Sequence, residues 1–223
     1  MWLALAVTAA CGGGTPPAPA AEASGGGSAV TLPVAARPRI VFLGDSLTAG
    51  YGLDASEAYP SLIQDRLRAA GLDFEVVNAG VSGDTSAGGL SRIDWSLGGE
   101  VRVLVVALGA NDALRGLATA ELERNLGRTI ERARERGVRV ILAGMEAPPN
   151  LGPAYTSAFR AVYRDLASRH GVALIPFLLA GVAGDARLNQ ADGIHPNAAG
   201  AARVADLVWP YVERAAREAT RDD

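Results

Sequence analysis

Lysine is absent from this chain: all 21 of its basic side chains are arginine. That excludes every chemistry built on an ε-amine, including a phosphate-loop lysine and a Schiff-base lysine. The arginines are interleaved with acids, as in Glu131-Arg132-Ala133-Arg134-Glu135-Arg136, and the net charge is -3. Such a pattern describes a solvated helix face, not a stripe that would track a nucleic acid. There is one cysteine, Cys11, and two histidines, His170 and His195. A zinc centre with the usual nitrogen and sulfur ligands would run short of donors, so neither metal nor cofactor is expected. No internal repeat is apparent.

What the chain has in quantity is apolar sequence, 49% of its 223 residues. That is ample for one sizeable core. Apolar runs at Ile40–Leu43, Phe74–Val77, Val103–Leu108, Val138–Leu142 and Val172–Ile175 read as five strands. Helical patterns at roughly 59–70, 86–97, 119–136, 154–170 and 198–217 alternate with them. Alternation of this kind predicts an α/β fold, a three-layer α/β/α sandwich around a five-stranded parallel sheet of flavodoxin type. The domain is expected over 39–219.

The first 38 residues differ in character. Trp2–Ala10 is a short apolar run ending at Cys11, too short to span a bilayer. Gly, Pro, Ala and Ser then dominate, so 12–38 reads as a flexible tether. The run resembles the end of a bacterial lipoprotein signal, in which the cysteine is lipidated. It departs from that pattern in lacking a basic leader and in having Thr8 where leucine is usual. The expectation is an exported protein, periplasmic or held at a membrane through Cys11 alone. Without processing, the chain would stay in the cytoplasm.

Two short blocks carry the chemistry. Gly44-Asp45-Ser46-Leu47 puts a serine directly after the first strand, and Asp192-Gly193-Ile194-His195 puts a carboxylate three residues before a histidine. A serine hydroxyl needs a neighbouring base to take its proton and a third group to orient that base. Asp192 can curl back to the imidazole within one turn and leave the far ring nitrogen for Ser46. Gly83 and Asn111 add donors: a loop glycine offers a backbone N–H and an asparagine an NH2, the groups that stabilise an oxyanion.

Each piece also has a structural reading. Ser46 could cap a helix, Asp192 could form an Asx turn before Gly193, and His195 could be an ordinary loop residue. Gly83 could supply a positive φ, and Asn111 could serve as a turn or cap. Ser82, flanked by glycine, is a rival nucleophile without a strand entry. His170 before Gly171 reads as a helix end.

Taken together and in order, Gly44-Asp45-Ser46-Leu47, Gly83, Gly109-Ala110-Asn111-Asp112 and Asp192-Gly193-Ile194-His195 resemble the GDSL or SGNH hydrolases. The resemblance covers about Arg39 to Tyr211 and is closest to their bacterial thioesterase, lysophospholipase and arylesterase branch. Ala110 stands where close relatives often have glycine. The resemblance implies strand order 2-1-3-4-5, a Ser46–His195–Asp192 triad, and an oxyanion hole formed by Ser46, Gly83 and Asn111. No Gly-x-Ser-x-Gly elbow surrounds Ser46, which argues against an α/β-hydrolase fold.

The expected activity is hydrolysis of a small-molecule or lipid ester or thioester through an acyl-enzyme, by a monomer. Tyr51, Leu90, Leu114, Leu117 and the loop 147–153 are expected to wall the acyl pocket. A carbohydrate O-acetylesterase is the alternative within the enzyme class, and a tethered non-catalytic binding module the alternative outside it.

Overall fold

A computed structural model of the chain describes residues 37–221. The expected signal segment 1–11 with Cys11, and nearly all of the tether 12–38, lie outside the described residues.

Five parallel strands form one sheet: β1 (Arg39–Gly44), β2 (Glu75–Gly80), β3 (Val101–Ala107), β4 (Arg139–Ala143) and β5 (Ala173–Ile175). Their order is β2-β1-β3-β4-β5, as the resemblance implied. Ile40, Val41, Phe42 and Leu43 are all buried, as are Val103 to Val106. Strands covered by helices on both faces need such continuous apolar runs. The edge strand β2 carries Glu75 and Asn78 instead.

Among the described residues, eight α-helices surround the sheet: α1 (Ser46–Ala49), α2 (Tyr59–Ala69), α3 (Ser86–Ser91), α4 (Ile93–Ser96), α5 (Ala110–Leu114), α6 (Thr119–Glu135), α7 (Pro153–His170) and α8 (Ala198–Arg221). α2 packs against α8, while α3 and α7 both pack against α6. Crossovers running in opposite directions from β1 explain the two layers, because each must be right-handed. α6 shows how sequence drives this: Leu122, Leu126, Ile130 and Ala133 are buried at helical spacing, and most of the outward positions are charged. α8 continues past the expected 217 to Arg221 and contains Pro210, which has no N–H to donate within the helix. Arg66 braces the turn before it, donating to the Ala205 carbonyl and pairing with Asp206.

One expectation is corrected. The helix expected over 86–97 is two helices, α3 and α4, broken at Arg92 (φ -112°, ψ 10°). Gly88 and Gly89 weaken the helix there. Arg92 then turns inward to donate to Asp84 and to the carbonyls of Ala79 and Gly44, at 2.8, 2.7 and 2.9 Å.

The register aligns the strand ends that matter. Gly44 pairs with Gly80 on one side and Ala107 on the other. The chain leaves β1 for β2 and returns across it to β3, so a crevice opens at the carboxyl ends of these strands, where open sheets bind ligands.

Candidate active site

Ser46 owes its position to two glycines. α1 lies so close to the strand ends that a Cβ on Gly44 would come 2.0 Å from Thr48 Oγ1, and one on Gly80 would come 2.2 Å from the Ala49 nitrogen. Asp45, not Ser46, caps α1: its carboxylate accepts the Leu47 N–H at 3.0 Å. Ser46 is thus the first helical residue, with its hydroxyl free of capping and its N–H in the turn that lacks intrahelical acceptors. The hydroxyl lies 2.9 Å from His195 Nε2.

His195 sits in the connection from β5 to α8. Its Nδ1 is 2.7 Å from Asp192 Oδ2, while Asp192 Oδ1 accepts the backbone N–H groups of Ile194 and His195, both at 3.0 Å. Asp192 thus makes the turn and the bond to His195 at once, one oxygen serving each. Gly193 takes the positive φ of 75° that the turn requires. These bonds to the charged form pull the Asp192 carboxyl down to about 2, the contact with His195 being the largest cause. The Tyr51 ring packs on the imidazole, 4.8 Å between centroids.

Beyond β2, Gly83 holds φ 81°. Beyond β3, Gly109 (φ 119°) precedes α5, which begins at Ala110 and carries Asn111. The Asn111 NH2 donates to the Asp84 carbonyl at 2.9 Å and makes a longer contact, 3.5 Å, with Asp45 Oδ2. Asp112, buried, accepts both the backbone N–H and the hydroxyl of Ser86, so the two donor loops are tied together. Asp45 is 1% exposed. Burial pushes its carboxyl up to about 6, against the lowering effect of the Leu47 N–H and the nearby His195.

Ser46, Gly83, Asn111 and His195 all open onto one cavity of about 420 Å³. Its wall is mostly apolar and includes Tyr51, Leu114, Met145, Phe177, Leu179 and Ile194. Of the expected pocket wall, Tyr51, Leu114, Ala147 and Pro148 are present. Leu90 instead packs partly buried against the core, and the Leu117 carbonyl accepts the Tyr155 hydroxyl. Pro149–Leu151 form a short 3-10 turn, with Leu151 packed on the core. Phe177 and Leu179 went unread because they lie past β5 in a segment without periodicity. Ser82 lines the cavity but sits in the turn closed by the Asp84 N–H to the Val81 carbonyl, and the His195 imidazole contacts Ser46 instead. His170 ends α7 ahead of the left-handed Gly171 and just before β5, so it lies by the amino end of that strand and not at its carboxyl end.

Residues 42–203 match the model of the GDSL-like Lipase/Acylhydrolase family. The chain is 48% identical over 180 residues to Esterase TesA of Pseudomonas aeruginosa, covering 80% of this chain and 90% of that one. It is 38% identical over 169 residues to the Thioesterase 1/protease 1/lysophospholipase L1 of Escherichia coli, covering 75% and 80%. Among solved structures, the psychrotrophic esterase EstA from Pseudoalteromonas sp., inhibited by monoethylphosphonate, superposes with a TM-score of 0.75 at 32% identity, covering 79% of this chain and 97% of that one.

Proposed function

The chain belongs to the GDSL-like lipase/acylhydrolase family, and from that premise we propose that it cleaves acyl esters through an acyl-enzyme on Ser46, with His195 as base and Asp192 as its orienting partner. The observation that carries this reading is the Ser46–His195–Asp192 chain of hydrogen bonds, 2.9 and 2.7 Å long, at the wall of the apolar cavity.

Ser46 Oγ attacks the ester carbonyl carbon while its proton passes to His195 Nε2. Negative charge collects on the carbonyl oxygen, where the N–H groups of Ser46 and Gly83 and the Asn111 NH2 receive it. One Asn111 N–H is fixed by Asp84. Its other contact, to Asp45, is at the long limit of a hydrogen bond, so a developing oxyanion competes for it readily. As the bond from carbon to the leaving oxygen or sulfur breaks, His195 returns the proton to the leaving group. Water then attacks the acyl-enzyme, giving one proton to His195, which passes it to Ser46 Oγ as the carbon–Oγ bond breaks and the acid leaves.

The apolar lining supports fatty-acyl or aryl esters, including the thioester and lysophospholipid substrates that the names of relatives suggest, over acetylated sugars. A fluorophosphonate probe is expected to modify Ser46, and Ser46→Ala to abolish both labelling and hydrolysis of chromogenic esters. Label on Ser82 would overturn the assignment.

A further inference from the structure

A single side-chain amide joins the loop after the nucleophile to the loop that carries the base. Gln190 Nε2 lies 2.7 Å from the Tyr51 carbonyl oxygen and 3.0 Å from the Pro196 carbonyl oxygen. Both partners can only accept, so this end of the amide is the NH2, and both of its hydrogens are committed. The backbone N–H of Gln190 donates to the His195 carbonyl at 2.7 Å. On the nucleophile side, the Tyr51 N–H donates to the Ser46 carbonyl at 3.0 Å. The bonds close a circuit from Ser46 through Tyr51 and Gln190 to His195, and back through the Oγ–Nε2 contact.

The surroundings fit this amide closely. A Cβ on Gly52 would lie 2.4 Å from Gln190 Oε1, so the side chain rests on backbone that only glycine leaves open. Behind it, Asn189 Nδ2 donates to the Val182 and Asp185 carbonyls at 2.7 and 2.8 Å. Asn197 Nδ2 donates to the carbonyls of Arg187 and Asn189. The backbone that bears Gln190 is therefore anchored from the far side. By contrast, the Asp192 bonds are internal to the turn holding His195: they orient the imidazole but do not refer it to Ser46. Gln190 makes that reference, and it does so without lining the cavity.

We propose that Gln190 is a positioning residue that sets the separation of Ser46 and His195. It acts on proton transfer through His195 and has no contact with substrate. The proposal rests on the Ser46–His195 reading above. Displacement of a reacting group by about 1 Å can cost on the order of 100-fold in rate, and loss of the amide lets the base loop drift on that scale.

The test uses Gln190→Met, which keeps length and flexibility but cannot donate, and Gln190→Glu, which keeps shape and loses both donors. Each is expected to lower kcat by about 10- to 100-fold with KM unchanged, and to slow fluorophosphonate labelling of Ser46 by the same factor. In a His195→Ala background, Gln190→Met is expected to leave the residual labelling rate unchanged, since a residue acting only through the base adds nothing once the base is gone. Wild-type kcat in either folded variant would overturn the proposal, and so would a loss that multiplies in the His195→Ala background. If Gln190→Met fails to fold, Gln190→Glu carries the same comparison. Failure of the wild-type enzyme to label at Ser46 would instead sink the acyl-enzyme reading itself.

Discussion

Asp45 and Asp192 stand on either side of the Ser46–His195 contact, and their carboxyl groups are displaced in opposite directions, to about 6 and to about 2. Asp45 belongs to the half of the site that grows out of β1, β2 and β3. There α1 presses on the strand ends, Arg92 clamps Gly44, Ala79 and Asp84, and the carboxylates of Asp45 and Asp112 are buried. Asp192 belongs to the half suspended in the connection from β5 to α8, where its side chain is 39% exposed and organised by bonds within its own turn. Burial governs the first carboxyl and hydrogen bonds to its charged form govern the second. The half that carries the proposed nucleophile and oxyanion donors is therefore continuous with the core, whereas the half that carries the proposed base is a local device. Damage to the first should reach stability as well as rate, and damage to the second rate alone.

The largest effect expected from this contrast is in the base half. His195→Ala should lower kcat on the order of 10^4-fold or more, while its melting temperature stays at the wild-type value. Kinetics and thermal melting on one preparation check this, and a collapsed fold would erase the distinction. Next comes Asn111→Ala. Losing one oxyanion donor should lower kcat by about 100- to 1000-fold with little change in KM. Because the Asp84 carbonyl also loses its donor, melting should fall too, by about 1 kcal/mol of stability. A lowered melting point with wild-type kcat would remove Asn111 from the site.

Asp45→Asn sharpens the comparison most finely. The folded-state value of about 6 lies above the ordinary 3.8, so between these pH values the folded protein holds a proton that the unfolded chain has released. Stability is thus fullest below 3.8 and declines as pH rises through about 6. The substitution keeps an oxygen for the Leu47 N–H and removes the charge. Above pH 6 the variant should melt higher than wild type, by on the order of 3 kcal/mol at most, and the gap should close in acid. A gap that widens in acid would contradict burial as the cause.

The convergence of the site was legible from four short blocks because each makes mostly local bonds or follows a strand end. Ser46, Asp192 and His195 converge, and Gly83 and Asn111 share their cavity. The sheet was legible too, since short apolar runs alternating with helical patterns fit strands covered on both faces; the strand order needed the family resemblance. Arg92 was not legible, because its three acceptors come from β1, β2 and the Gly83 loop, and no local pattern announces them. Nor was the capping role of Asp45. Serine and aspartate are both good caps, and the choice between them depends on how α1 meets the strand ends.

That meeting has a consequence for how sequence variation at this site should be read. Gly44 and Gly80 do not line the cavity, yet the space left by two missing methyl groups decides where Ser46 stands. An alanine at either position would be harmless by its chemistry and its helix propensity, but it would push α1 away from the strand ends and carry Ser46 with it. The positions least forgiving to catalysis therefore include two with no side chain at all, and a map of tolerated substitutions would place them beside His195 rather than with the core.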